Sequence, residues 1–72
     1  MTIGQRAVES IKDRAKQNGR SENLERISLD ITESTFKGWR KGHCDPSAYY
    51  LQQLALNGYD VMYILTGQRH KS

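Results

Sequence analysis

Apolar residues recur three and four positions apart along the whole chain, and no stretch alternates with the period of two that marks a half-buried strand. Ile3, Ala7, Ile11 and Ala15, with Val8 beside them, form the stripe of a first helix predicted over Ile3 to Asn18, and Gly19 ends it. Ser21 caps a second helix with Glu22 in its first turn and Leu24 and Ile27 inward; it stops near Leu29. Thr32 caps a third, in which Glu33 complements the positive end, Phe36 and Trp39 make an i, i+3 apolar pair, and Gly42 follows the last turn. Asp45 before Pro46 reads as N-cap and first helical residue of a fourth helix, with Ala48, Leu51, Leu54 and Ala55 inward and Asn57-Gly58 at its end. Asp60 caps a short fifth helix, Val61 to Leu65, whose Val61, Ile64 and Leu65 turn inward before Gly67.

Five short helices joined by connections of a few residues imply an all-α, compact domain over residues 1–67, followed by a short basic tail, 68–72. A chain of 72 residues buries only about 60% of the surface its unfolded form exposes, so it builds one small core. A ligand pocket of roughly 300 Å³ or more is hard to carve from such a core, which argues against an enzyme. No nucleophile, base and orienting acid are arranged together, so no catalytic residue is read. His43-Cys44, with Asp45 or His70, lacks a second pair at metal-site spacing; neither a metal nor a cofactor is expected. The single cysteine, read as a partly buried small residue, allows no intramolecular disulfide and implies a reducing cytoplasm. Met1 to Gly4 lead into Gln5-Arg6 without an apolar signal region, and no run approaches a membrane span.

The net charge of +3 is unevenly distributed. Arg6, Lys12, Arg14, Lys16 and Arg20 outweigh Glu9 and Asp13 by three over residues 1–20. Over residues 21–36, Glu22, Glu25, Asp30 and Glu33 outweigh Arg26 by three, and over residues 37–45, Lys37, Arg40 and Lys41 outweigh Asp45 by two. Two basic blocks therefore flank an acidic one, a distribution that matters more for an anionic partner than the sum does.

The informative segment runs from Leu29 to Gly42. Ile31, Phe36 and Trp39 supply the apolar residues that a tight turn and the inner face of its second helix need, which leaves Glu33, Ser34, Lys37 and Lys41 on the outer face. Hydrogen-bonding side chains on the free face of a short helix suit the DNA major groove. With Ile31 at the turn, Thr32-Glu33-Ser34-Thr35 at the helix start and Trp39-Arg40-Lys41-Gly42 at its end, the segment resembles the helix-turn-helix of the Xre and lambdoid phage repressor family. The ending Gly58-Tyr59-Asp60-Val61-Met62-Tyr63-Ile64-Leu65-Thr66-Gly67 is similar to the close of the family's fifth helix, and Pro46-Ser47 falls where its fourth begins.

The resemblance, which covers Ile3 to Gly67, implies a five-helix repressor-like fold and sequence-specific binding of double-stranded operator DNA as a homodimer. It also implies transcriptional control in the cytoplasm of a bacterial cell or phage host. The base-contact candidates are Thr32, Glu33, Ser34 and Lys37; the phosphate-contact candidates are Arg20, Ser21, Asn23, Arg40, Lys41 and His43. Trp39 is read as core rather than as a base-stacking residue. Of the four tyrosines, Tyr63 is placed with Met62 on the outer side of the last helix as a dimer contact, and the others at the core's periphery. Where the family has Gln, Ala and Gly around its second helix and turn, this chain has Glu22, Arg26 and Asp30, which implies a rotated or offset second helix with Ser28 as the small contact. The acidic residues Glu22, Glu25, Asp30 and Glu33 sustain an alternative: an antirepressor or modulator that keeps the fold and binds a phage or host repressor protein.

Overall fold

The computed structural model describes residues 1–69; residues 70–72, with His70 and most of the expected basic tail, lie outside it. The chain forms α1 (Ile3–Gln17), α2 (Glu22–Ser28), α3 (Glu33–Lys41), α4 (Ala48–Leu56) and α5 (Val61–Thr66), with no strand among the described residues. No helix among them is long and apolar enough to cross a membrane.

Helix α1 is the post around which α2, α3 and α5 pack. Its start is fixed by a reciprocal pair: the Thr2 hydroxyl accepts from the Gln5 N–H at 3.1 Å, and the Gln5 side-chain oxygen accepts from the Thr2 N–H at 2.9 Å. The carboxylate of Asp45, 41 residues away, accepts from the Gly4 N–H at 3.1 Å. That contact corrects the reading of Asp45 as an N-cap of the fourth helix. Helix α4 begins at Ala48 behind Ser47, whose side chain makes no cap bond, while Asp45 answers the positive end of α1 and Pro46 is buried. Gly4 permits the approach: a Cβ there would lie 2.6 Å from the Cys44 carbonyl oxygen and 2.9 Å from Cα of Trp39.

Ala7, Val8, Ile11 and Ala15 are buried as their spacing predicts, and the core continues through Leu29, Ile31, Phe36, Trp39, Leu54, Tyr59 and Ile64. The Trp39 ring meets Tyr50 edge-on at 5.3 Å. Two arginines of α1 hold helix C-termini against it. Arg6 donates to the carbonyls of Ile64 at 2.8 Å and Leu65 at 3.1 Å, and Arg14 to those of Asn57 at 2.7 Å and Gly58 at 2.9 Å. A cation there satisfies carbonyls that the helix leaves open and complements its negative end.

Three inward faces differ from those expected. In α2, Leu24 and Ile27 are 54% and 56% exposed, and the only buried residue is Glu25. Leu29, one turn beyond Glu25, and Ile31 enter the core, so this two-turn helix turns its Glu25 side inward. Ser28, expected as the small contact, is exposed, with its hydroxyl donating to the Glu25 carbonyl at 2.7 Å. In α4 only Leu54 is buried, Leu51 is half-buried, and Ala48 and Ala55 are exposed. In α5, Ile64 is buried but Leu65 is 40% exposed, because Tyr63 takes the side facing α1, where its hydroxyl donates to the Glu9 carboxylate.

Candidate nucleic-acid interface

Helix α3 has two chemically different sides. Thr32 caps it, its Oγ1 accepting from the Thr35 N–H at 3.3 Å and donating to the Thr35 hydroxyl at 2.7 Å, and Gly42 closes it at φ 78°. Phe36 and Trp39 are buried on one side; Glu33, Ser34, Lys37 and Lys41 are exposed on the other. At about 100° per residue these four fall within one arc of roughly 100°. Thr32 is exposed at the same end, but both functions of its hydroxyl are engaged by the cap.

The link from α2 to α3 is short and tightly fastened. Asp30 is the one non-glycine residue with positive φ among the described residues, at 59°, between the buried Leu29 and Ile31. A left-handed residue there reverses the chain while both apolar neighbours remain in the core. Arg26 does not occupy a close-packed spot. Its side chain folds over the turn, donating to the Ile31 carbonyl at 2.7 Å and to the Asn23 side-chain oxygen at 3.2 and 2.6 Å. The long side chain thus lies along the turn rather than between helices.

An open groove of about 460 Å³ separates the start of α2 from α3. Glu22, Asn23 and Arg26 form one wall, Glu33, Lys37 and Arg40 the other, with Phe36 between. The phosphate-contact candidates fall into two groups. Four are already engaged: Ser21 accepts from the Leu24 N–H at 3.1 Å, Asn23 accepts from Arg26, Arg20 lies 3.0 Å from Glu25, and Arg40 lies 3.2 Å from Glu22. Lys41 and His43 are exposed with no side-chain partner among the described residues, and so is Lys37. Of the dimer candidates, Met62 is 59% exposed, whereas Tyr63 is half-buried against α1, which corrects its placement on the outer side of the last helix. Cys44 is exposed rather than partly buried, and its sulfur rests against Gly38, where a Cβ would come within 2.6 Å of it.

The sequence pattern did not disclose the polar cluster beneath α2. Glu25, 4% exposed, accepts from the Tyr59 hydroxyl at 3.3 Å; its other oxygen has Arg20 at 3.0 Å but no well-directed hydrogen bond among the described residues. The Arg14 guanidinium lies 4.0 Å from the Tyr59 ring centroid. Burial first, and then the Glu25 charge, push the Tyr59 hydroxyl from 10.0 up to about 12. The Tyr63 hydroxyl is also raised, chiefly through its hydrogen bond to Glu9. The available signal was the position of Glu25 one turn before Leu29, on the side of α2 that Leu29 continues into the core.

No protein-family model, curated protein or solved structure matches the chain.

Proposed function

We propose that this chain is a sequence-specific, duplex-DNA-binding transcription regulator of the Xre and phage-repressor kind, with α2 and α3 as its helix-turn-helix. The observation that carries the reading is the division of α3, with Phe36 and Trp39 locked in the core behind an exposed row of Glu33, Ser34, Lys37 and Lys41. A nine-residue helix is about 14 Å long and enters a major groove about 12 Å wide. Lys37 then addresses guanine O6 and N7, Glu33 a cytosine amino group and Ser34 either strand's edges, while Thr32 holds the helix end. Lys41 and His43 supply backbone contacts that fix register without reading sequence. Two chains bind a palindrome, meeting through the exposed Met62 and Leu65 of α5.

A mobility-shift titration with the DNA flanking its own gene, at two salt concentrations, tests this. Affinity should fall with salt at a log–log slope of about −0.9 per neutralised phosphate. Absence of binding to flanking and random DNA at about 50 mM salt would overturn the reading. Leu24 and Ile27, both exposed on α2, favour a second reading, an antirepressor that uses the same fold to occupy a repressor. A chain that leaves DNA unbound but releases a repressor from its operator would establish that role.

A further inference from the structure

Arg40 stands apart from the other basic residues on its helix. Its Nη2 donates to Oε1 of Glu22 at 3.2 Å across the groove, and its guanidinium lies 5.3 Å from the Phe36 ring centroid. Two contacts thus turn this side chain back along the protein, although it is 56% exposed; Lys37 and Lys41 have no such partner among the described residues. Glu22 is the first residue of α2, where the helix's positive end favours a negative charge. Beside it, the Ser21 oxygen already accepts the Leu24 N–H. If α3 lies in the major groove, α2 crosses the sugar–phosphate backbone, and the Glu22 carboxylate at its start gives Arg40 the kind of negative partner that a phosphate offers.

We infer that Glu22 is an internal stand-in for a DNA phosphate, keeping Arg40 paired in both free and bound protein and so limiting sequence-independent affinity. The inference rests on the DNA-binding reading above. With the pair intact, Arg40 neutralises no phosphate and releases no counterion; with the carboxylate gone, it becomes one more backbone contact. Such a contact strengthens binding to every sequence alike, because phosphates carry no base information. Glu22 therefore determines how firmly the protein holds non-operator DNA, while Glu33, Ser34 and Lys37 determine where it stops.

The salt slope counts phosphate contacts and separates this pairing from a simple change of net charge. Glu22→Gln, Arg40→Gln and the double variant are titrated by fluorescence anisotropy against a random-sequence duplex about three helical turns long, over a range of salt. Glu22→Gln should bind about fivefold to tenfold tighter at about 0.1 M salt, with a slope steeper by about 0.9. Arg40→Gln should keep the wild-type slope, and the double variant should return to it. A slope already shallower by about 0.9 in Arg40→Gln alone, or no steepening in Glu22→Gln, overturns the inference while leaving DNA binding intact. If neither wild type nor Glu22→Gln binds at about 50 mM salt, the DNA reading itself fails and takes this inference with it. Binding by Glu22→Gln alone, with a slope that the second substitution reduces, supports it.

Discussion

The hydroxyl of Tyr59 donates to Oε1 of Glu25 at 3.3 Å and ties the one buried residue of α2 to the connection between α4 and α5. Among the described residues the Glu25 carboxylate accepts no other hydrogen bond, since Arg20 approaches the second oxygen off the donor direction. Tyr59→Phe strips the buried carboxylate of that donor at nearly constant volume, so it should cost about 1–3 kcal/mol in chemical denaturation. Glu25→Gln retains an acceptor for Tyr59 and should cost less. Equal stability of Tyr59→Phe and wild type would mean that Arg20 alone satisfies Glu25.

The same contact sets a pH dependence. The folded Tyr59 hydroxyl is raised from 10.0 to about 12, so its contribution is complete below pH 10 and is lost as pH climbs toward 12. The stability difference between wild type and Tyr59→Phe should therefore be flat through neutral pH. It should then shrink above pH 10 by at most ~1.4 kcal/mol per unit. Groups common to both proteins, Tyr63 among them, cancel in the difference. A gap that widened with alkali would contradict the assigned burial.

What could be read in the sequence divides by the range of the interaction. Ser21, Thr32 and Asp60 cap α2, α3 and α5 as read, because a cap is a bond between residues three apart, and Gly42 and Gly67 close α3 and α5 in left-handed conformations. The two sides of α3 were legible because nine residues make enough turns to define a face. Helix α2 has seven, too few for Leu24 and Ile27 to fix a side; its orientation follows from Leu29, Ile31 and a tyrosine 34 residues away. Asp45 looked like a local cap for the same reason that it is not one: its competitor, the start of α1, is adjacent only in the fold. The outer face of α3 was legible, but the engagement of Arg40 with Glu22 spans 18 residues and was not.

Asp30 turns the chain between α2 and α3 at φ 59°, a conformation that costs an L-residue roughly 1–2 kcal/mol and a glycine almost nothing. Asp30→Gly should raise stability by up to about 1 kcal/mol after its greater unfolded-state entropy is subtracted, and Asp30→Val should lower it by about 1–2 kcal/mol. Thermal melts of the three proteins decide this. Stabilisation by valine would show that the turn is not held left-handed.

Trp39 is 1% exposed, and Lys37, two residues earlier, lies on the opposite side of α3. Trp39→Ala should cost about 3–5 kcal/mol, enough to unfold much of so small a domain. Lys37→Ala should alter stability by less than about 0.5 kcal/mol, yet weaken operator binding by about 1–3 kcal/mol. Circular dichroism and anisotropy, applied to both variants, separate the two effects. A destabilised Lys37→Ala protein with unchanged DNA affinity would reverse the assignment of faces.

Two chains per operator should assemble through Met62 and Leu65, and the variants that test this follow from the orientation of α5. Tyr63 is unsuitable, since a charge there would break its bond to Glu9 and disturb the packing of α5 on α1. Met62 and Leu65, 59% and 40% exposed and three residues apart, form an outward apolar strip whose loss leaves the core untouched. On the proposed DNA-binding reading, one recognition helix would contact too few base pairs to select a site in a genome, so paired half-sites with centres about one helical turn apart are expected. The strip is small, and interfaces burying less than about 1,200 Å² are weak, so the free protein should sediment as a monomer and the pairing should appear on DNA. Sedimentation with a palindromic operator fragment should give two wild-type chains per duplex and one chain of Met62→Asp/Leu65→Asp, with the melting temperature of the free variant close to that of wild type. One wild-type chain at saturation would refute dimeric binding, and two chains of the variant would move the contact elsewhere on the domain.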